Sequence, residues 1–143
     1  MEQTKKTRNI PCVLFLCVHN AGRSQMALGW LRHLGQDRIV GYSGGSEPVV
    51  EINPAAIAVM AEVGIDITAE VPKRWTEATV READVVVLMG CGDACPVYPG
   101  KRYVDWILQD PAGRDMDMVR GVRDAIRAHV ELLLVELGVV GSI

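Results

Sequence analysis

Two short runs of consecutive apolar residues constrain the fold of this 143-residue chain more than any other feature of its sequence. They span residues 12–16 and 85–89, and polar residues do not alternate within them as they would in a strand with one face in water. Such runs are typical of strands in a parallel sheet that is covered on both faces. Because parallel neighbours must be joined by crossover connections, helices are expected between the strands.

Four stretches have the apolar spacing of a helix with one buried face. Gly35 is expected to end the first of them, and Asn53 is expected to cap the second, which begins with Pro54 and closes at Gly64. The predicted helices span residues 24–34, 54–64, 77–82 and 116–137.

Two further short strands are predicted at residues 39–43 and 102–106. Strands and helices then alternate along the chain, which is typical of a doubly wound α/β domain. We therefore predict one domain at residues 11–143, with a central parallel sheet of about four strands flanked by helices. Residues 1–10 are polar and are predicted to form a flexible N-terminal tail.

The charge balance excludes some classes of partner. The chain carries 15 Lys and Arg against 18 Asp and Glu, a formal net charge of −3, and it has no basic block of the kind that nucleic-acid binding requires. The first ten residues lack the apolar core of a signal peptide, and the apolar runs are too short to span a membrane. We expect a cytoplasmic protein that binds neither nucleic acid nor membrane.

The four cysteines are the first indication of chemistry. In the reducing cytoplasm, cysteines serve catalysis or metal binding more often than they form disulfides. Cys12 and Cys17 are separated by an odd number of positions on one strand, so their side chains should point to opposite faces of the sheet. That disfavours a structural zinc site. Cys12 is expected in the core, and neither a cofactor nor a metal site is predicted.

The segment between the first strand and the first helix reads CVHNAGRS and fits the pattern Cys-x5-Arg-Ser. A short loop wrapped over a helix N-terminus can direct several backbone N–H groups at a tetrahedral oxyanion, and the helix dipole adds to their attraction. Gly22 is expected to ease the turn, and the Arg23 guanidinium to hold two oxygens. The predicted oxyanion-binding residues are Val18, His19, Asn20, Ala21, Gly22 and Arg23.

The same surroundings favour the thiolate form of Cys17, which would make this residue a nucleophile. Ser24 is predicted to donate a hydrogen bond to that thiolate while capping the helix. A plainer interpretation also exists, in which Cys17 is a core residue and Arg23 a surface side chain that happens to lie nearby.

Residues 17–27, CVHNAGRSQMA, resemble the phosphate-loop signature of the low-molecular-weight protein tyrosine phosphatase superfamily, in the form carried by its arsenate reductase branch. The likeness continues through later segments and covers nearly the whole chain after the tail. These segments are YSGG at 42–45, EVGID at 62–66, MGCGDACP at 89–96, DW at 105–106 and DPAG at 110–113. The resemblance implies the family's α/β fold and a reaction that begins with thiolate attack on an oxyanion.

Asp110 is followed by Pro111 and would ordinarily be regarded as a turn residue. The resemblance implies that it is the general acid, which protonates the departing oxygen. The family often has a second acidic residue just before this one, but Gln109 stands here, so no carboxylate pair is available.

Cys91 and Cys95 distinguish reduction from hydrolysis, because reducing arsenate takes two electrons whereas a phosphatase needs no second thiol. The resemblance implies that Cys17 attacks arsenate, that Cys91 then attacks the sulfur of Cys17, and that Cys95 finally forms a disulfide with Cys91 for an external reductant such as thioredoxin. Only three residues separate Cys91 from Cys95, fewer than in thioredoxin-coupled relatives. A low-molecular-weight thiol such as mycothiol, with its redoxin, is therefore a second candidate reductant.

Other possibilities stay open. The chain could be a phosphatase for phosphotyrosine or small phosphoesters, or a non-catalytic oxyanion or redox sensor, which would have no use for Asp110. Some relatives bind potassium through an acidic residue at the position of Leu28, so such a site is in doubt here. Asn20, Ser43 and Asp66 are the oxygen ligands that would remain.

Overall fold

The computed structural model describes residues 10–90 and 98–139 of the chain. It contains four strands: β1 (Cys12–Cys17), β2 (Val40–Gly45), β3 (Val85–Leu88) and β4 (Arg102–Asp105). Its α-helices are α1 (Arg23–Gly35), α2 (Pro54–Glu62), α3 (Glu77–Glu82) and α4 (Met116–Glu136), and a 3-10 turn at Gln36–Arg38 follows α1. Every predicted strand and helix is present within these described ranges. Most of the predicted tail and both Cys91 and Cys95 lie outside them.

The four strands form one parallel sheet in the order β2-β1-β3-β4, which confirms the predicted fold class. In the register of the sheet, Phe15 of β1 is paired with Ser43 of β2 and with Val87 of β3. All six residues of β1 are buried, as expected for the central position that its apolar run predicts. The carboxyl ends of β1, β2 and β3 therefore meet at one edge, which is where ligands bind in open α/β sheets.

The second strand differs from its prediction: it lies at Val40–Gly45 rather than at 39–43. The sequence GGSEP at 44–48 predicts a turn-rich loop, yet Gly44 and Gly45 pair with Leu16 and Cys17. A Cβ atom at Gly44 would lie 2.8 Å from the backbone of Trp75, and one at Gly45 would lie 2.6 Å from the carbonyl oxygen of Val18. The glycines are needed because two other segments approach the end of this strand closely.

The two faces of the sheet are covered unequally. The larger core lies under α1, α2 and α4 and includes Phe15, Cys17 and Ile126. The smaller core lies under α3 and includes Cys12, Leu14 and Leu16, with Val80 contributed by the helix. Cys12 and Cys17 thus face opposite sides of the sheet, as predicted from their spacing.

Side chains cap two of the helices that flank the larger core, α2 and α4. The Asn53 carboxamide accepts a hydrogen bond from the amide of Ala55 at the start of α2, as predicted, and the Asp115 carboxylate accepts one from Met118 at the start of α4. Gly64 follows α2 with φ of +81°, a conformation that favours glycine. Among the described residues, no helix is both long enough and apolar enough to cross a membrane.

An ion-pair cluster joins α2 to α4. The Glu62 carboxylate accepts hydrogen bonds from Arg120 at 2.8 Å and from Arg123 at 2.9 Å, and the Arg123 guanidinium also donates to the carbonyl of Val59. The hydrogen bonds from Arg120, followed by those from Arg123, lower the pKa of Glu62 from 4.5 to about 2. This cluster fixes the position of α2, whose N-terminus borders the cavity described next.

Candidate active site

A cavity of about 320 Å³ opens beyond the carboxyl end of β1. Three segments enclose it: the loop after β1, the segment that leads into α2, and the loop between β4 and α4. The lining residues are Cys17, His19, Ala21, Gly22, Arg23, Val49, Glu51, Asn53, Pro54, Asp110, Pro111, Ala112 and Gly113. The structure therefore brings Asp110 together with Cys17 and Arg23, which were predicted from a segment far from it in the sequence.

The carbonyl groups of the loop at residues 17–21 are held by the segment at residues 46–53. Ser46 donates its backbone N–H to the carbonyl of Cys17 at 3.3 Å, and Glu47 donates to that of Val18 at 2.8 Å. Two further bonds of this kind run from Val49 to His19 at 3.3 Å and from Asn53 to Ala21 at 2.9 Å. These bonds fix the orientation of successive peptide groups in the loop.

The amide groups of the same loop are not used in this way. Within residues 10–90 and 98–139, nothing accepts a hydrogen bond from the backbone N–H groups at positions 18–24. Buried backbone donors are almost always paired in folded proteins. A run of unpaired donors that leads into the N-terminus of the 13-residue helix α1 is therefore suited to receive an anion.

A chain of hydrogen bonds ends at the sulfur of Cys17, a residue with 2% of its surface exposed. Asn20 Nδ2 donates to Ser24 Oγ at 2.7 Å, and Ser24 Oγ lies 2.9 Å from Cys17 Sγ. The Asn20 amide occupies one acceptor position of the Ser24 oxygen, and the Ser24 hydroxyl proton is free to be donated to the sulfur. The hydroxyl of Ser24 is therefore within hydrogen-bond distance of the candidate nucleophile.

The role predicted for Ser24 as a helix cap is wrong. The N-cap residue of α1 is Gly22, which has no side chain to cap with, and Ser24 lies inside the first turn. Its hydroxyl is occupied by Cys17 and Asn20 instead.

Asn20 has a structural role that its position in the motif did not suggest. It adopts φ of +52°, a conformation that asparagine tolerates better than most residues. Its side chain is fully buried, and its Oδ1 accepts hydrogen bonds from Gln25 Nε2 and from the backbone N–H of Lys73, both at 3.0 Å. Neither Asn20 nor Val18, both predicted oxyanion-binding residues, lines the cavity.

The turn in this loop thus depends on Asn20 rather than on Gly22, whose φ of −134° is not in the left-handed region. Gly22 serves another purpose. A Cβ atom there would lie 3.1 Å from Cγ of Pro111, so the missing side chain lets the loop after β4 close over the loop after β1.

Arg23 and Asp110 face each other across the cavity. Arg23 is 8% exposed, and its Nη2 lies 3.7 Å from Oδ2 of Asp110. The Asp110 side chain is 53% exposed, and its other oxygen accepts a hydrogen bond from the backbone N–H of Ala112 at 3.0 Å. His19 is also exposed at the rim of the cavity.

The oxygens of the three candidate potassium ligands, Asn20, Ser43 and Asp66, are each engaged by other groups. Ser43 Oγ accepts a hydrogen bond from the ammonium group of Lys73 at 3.2 Å, and partial desolvation lowers the pKa of that lysine below its ordinary value. The Asp66 carboxylate is bound by the backbone N–H and hydroxyl of Thr68. In the described part of the chain, no three His, Cys, Asp or Glu side chains are grouped in a way that could hold a metal ion.

A thiol, a guanidinium and a carboxyl group that converge on a loop of unpaired amides are the groups needed for nucleophilic displacement at a tetrahedral oxyanion. The comparisons with known proteins agree with this assignment. Residues 12–140 match the family model described as low molecular weight phosphotyrosine protein phosphatase. The chain belongs to this family.

Within the family, curated relatives of this chain are arsenate reductases. A glutaredoxin arsenate reductase from Synechocystis sp. is 37% identical over 87% of this chain and 97% of its own length. An arsenate reductase from Staphylococcus xylosus is 40% identical over 83% of this chain and 92% of its own length.

Solved structures give the same result. A thioredoxin-dependent arsenate reductase from Corynebacterium glutamicum has a TM-score of 0.80 and 40% identity, and the match covers 90% of this chain but 62% of that longer chain. An arsenate reductase in the phosphate binding state has a TM-score of 0.79 and 34% identity, covering 90% of this chain and 99% of that chain. A tyrosine phosphatase from Erwinia amylovora has a TM-score of 0.79 at 20% identity and shares the fold.

Proposed function

We propose that this protein reduces arsenate to arsenite in the cytoplasm, with Cys17 as the nucleophile. The observation that carries the proposal is the position of the Cys17 sulfur: it lies beside a loop whose amides have no acceptor among the described residues and in a cavity that Arg23 and Asp110 also line. The match to curated arsenate reductases over most of their length supports arsenate as the substrate.

The first step is a displacement at arsenic. The Cys17 thiolate attacks the arsenic atom, an As–S bond forms and an As–O bond breaks. Asp110 gives its proton to the departing oxygen, which leaves as water. Without that proton the leaving group would be hydroxide, so a positioned acid accelerates this step by about 10² to 10⁴.

The loop and Arg23 serve this step by electrostatics. The substrate brings negative charge into the cavity, and the loop amides, the N-terminus of α1 and the guanidinium offset it without moving. One arginine and the backbone suffice, so the acidic balance of the whole chain is no obstacle to anion binding.

The second stage transfers two electrons. Cys91 attacks the sulfur of Cys17, an S–S bond forms, and the electron pair of the broken As–S bond leaves with arsenic as arsenite. Cys95 then attacks Cys91 and releases Cys17 as a thiolate, so the oxidising equivalents end in a Cys91–Cys95 disulfide. Both cysteines lie outside the described residues, and their assignment is supported by the sequence pattern alone.

An external reductant must then reduce that disulfide. We propose thioredoxin, because the Corynebacterium glutamicum relative is thioredoxin-dependent. A low-molecular-weight thiol such as mycothiol, with its redoxin, would instead attack the Cys17 adduct directly, and the glutaredoxin arsenate reductase from Synechocystis sp. shows that reductants differ among relatives.

One turnover with arsenate and no external reductant tests the relay. Mass spectrometry of the product should show arsenite released and a Cys91–Cys95 disulfide. The Cys91→Ser variant should stop at a Cys17 adduct, whereas Cys12→Ala, a matched control on the opposite face of the sheet, should behave as the wild type does. Multiple turnover by Cys91→Ser with thioredoxin alone would contradict the relay.

Hydrolysis of phosphoesters is the second candidate function, because the same nucleophile, loop and acid suffice for it. Among the described residues, no Phe, Tyr or Trp lines the cavity to stack on an aryl group, which favours a small inorganic oxyanion over phosphotyrosine. If aryl phosphate hydrolysis were unchanged in the Cys91→Ser and Cys95→Ser variants and no arsenite were ever formed, the protein would be a phosphatase.

A further inference from the structure

The residue that follows β3 and Met89 is Gly90, and it lies against the side chain of Arg23. Gly90 has φ of +91°, and a Cβ atom built on it would lie 2.7 Å from Nη1 of Arg23, 3.6 Å from Cζ and 3.8 Å from Nη2. No real Cβ atom tolerates the shortest of these distances. The guanidinium therefore occupies space that any other residue at position 90 would fill.

We propose that Gly90 is a positioning residue for Arg23: its missing side chain lets the guanidinium lie at the exit of β3, where it faces the oxyanion cavity. The inference rests on the proposed oxyanion site. It adds a fourth segment, the exit of β3, to the three that enclose the cavity, although Gly90 is not among the lining residues.

The geometry separates Gly90 from the two crowded glycines at the end of β2. At Gly44 and Gly45 the nearest atoms belong to backbone, so a side chain there would disturb the fold itself. At Gly90 the nearest atoms all belong to the end of one side chain, which can move. A substitution at position 90 should therefore displace the guanidinium and leave the sheet in place.

Displacement of the guanidinium has a defined cost because Arg23 has little freedom. It is 8% exposed, and on its other side Nη2 lies 3.7 Å from the Asp110 carboxylate. The guanidinium is confined between Gly90 and Asp110, and confinement is what makes a two-oxygen contact with an anion possible. Since Gly90 directly precedes Cys91 in the sequence, the proposed anion-binding group also contacts the chain that leads to the proposed second nucleophile.

Binding of inorganic phosphate, measured by calorimetry, tests the proposal without requiring any reduction. We expect Gly90→Ala to weaken phosphate binding about tenfold, as loss of one charge-assisted contact would. Gly64→Ala is the matched control: Gly64 has φ of +81°, so it carries the same backbone strain, but nothing lies within 4 Å of its Cβ position. It should lose stability and keep its phosphate affinity. Phosphate affinity within twofold of the wild type in Gly90→Ala would overturn the proposal.

If Gly90→Ala does not fold, Gly90→Asn takes its place, because asparagine tolerates positive φ and still carries a Cβ atom. A double-mutant cycle with Arg23→Lys supplies a second readout. The lysine has no guanidinium to collide with, so the substitution at position 90 should weaken phosphate binding much less in the Arg23→Lys background. Equal losses in both backgrounds would show a general structural effect and overturn the proposal.

Steady-state kinetics with arsenate should then show a KM that rises more than kcat falls. A chain that binds phosphate in this Gly90-dependent way but forms no arsenite would refute the proposed function and leave the positioning role intact. Different experimental results would therefore refute the proposed arsenate reduction and the proposed positioning role of Gly90.

Discussion

The two loops that face each other across the cavity are held in contrasting ways. The loop after β1 is largely buried, its carbonyls are bonded to residues 46–53, and the side chains of Asn20 and Ser24 form a chain of hydrogen bonds beneath it. The loop with Asp110 is mostly exposed. Its hydrogen bonds within the described part of the chain are local, from Ala112 to the Asp110 carboxylate and from Arg114 to the carbonyl of Pro111.

The two loops have different tasks in the proposed reaction: the loop after β1 stabilises the charge of the substrate, and the loop with Asp110 carries the acid. Charge stabilisation requires dipoles that are already oriented when the substrate arrives, and a loop fixed at every peptide group meets that requirement. The acid acts once per turnover and must then leave room for a second nucleophile. An exposed loop with few bonds to the rest of the fold can change position at small cost.

The largest effect is expected at the nucleophile. Cys17→Ser should lower arsenate reduction by about a thousandfold or more, because a serine hydroxyl is not ionised here and cannot pass electrons to arsenic. Its thermal stability should stay close to that of the wild type, since the replacement is nearly isosteric. Arsenite assays with thermal unfolding of the same samples check both, and appreciable arsenite formation would show that Cys17 is not the nucleophile.

Removing the acid should affect catalysis and not stability. Asp110→Asn keeps the shape but has no proton to give, so kcat should fall by about 10² to 10⁴. Because the side chain is 53% exposed, the unfolding midpoint should barely move. Asp37→Asn, an exposed aspartate outside the cavity, is the control. An unchanged kcat in Asp110→Asn would show that Asp110 is not the general acid.

Substitution of Asn20, unlike that of Asp110, should lower both catalysis and stability. Asn20→Gly preserves the positive φ and removes the hydrogen bonds to Ser24, Gln25 and Lys73, which should cost about 1–3 kcal/mol of stability and roughly tenfold in kcat. Asn20→Ala should cost about 1 kcal/mol more through backbone strain. Denaturant titration of Asn20→Gly and Asn20→Ala separates the loss of hydrogen bonds from the backbone strain. Equal stability of the two variants would mean that the positive φ is unimportant.

The smallest effect is expected far from both loops, at the ion-pair cluster between α2 and α4. The pKa of Glu62 is lowered from 4.5 to about 2, so its contribution to stability is present above pH 4.5 and is lost as the pH falls toward 2. Glu62→Gln should therefore be slightly less stable at pH 7, and the difference should vanish near pH 2. Thermal unfolding of both proteins from pH 7 to pH 2 measures this difference in stability. A difference that did not change with pH would mean that the substitution acts through packing. The kcat for arsenate should not change.

The sequence predicted the framework well because its elements follow from local pattern. The apolar runs placed β1 and β3, and the cap at Asn53 placed the start of α2. The prediction failed where contacts with a segment distant in the sequence determine the local structure. The extension of β2 through Gly45 depends on Trp75, and the true function of Gly22 depends on Pro111.

The site shows the same limit. The motif predicted Cys17 and Arg23 as site residues, and the resemblance added Asp110. Neither indicated that Asn20 does not line the cavity and that its side chain donates a hydrogen bond to Ser24 Oγ. The sequence did contain a signal for this role of Asn20, because asparagine often occupies positions of positive φ in tight loops. The roles of Cys91 and Cys95 in the relay stay a prediction.

The bonds between residues 17–21 and 46–53 also bear on how this protein folds. The loop is short, but the contacts that give it its shape come from residues about thirty positions later, and from Lys73 beyond them. Local contacts form early in folding, and those that close a long stretch of chain form later. The anion cradle should therefore take shape only after β1, α1, β2 and the start of α2 have assembled, and a fragment that ends at Gly35 would carry the whole motif without the site.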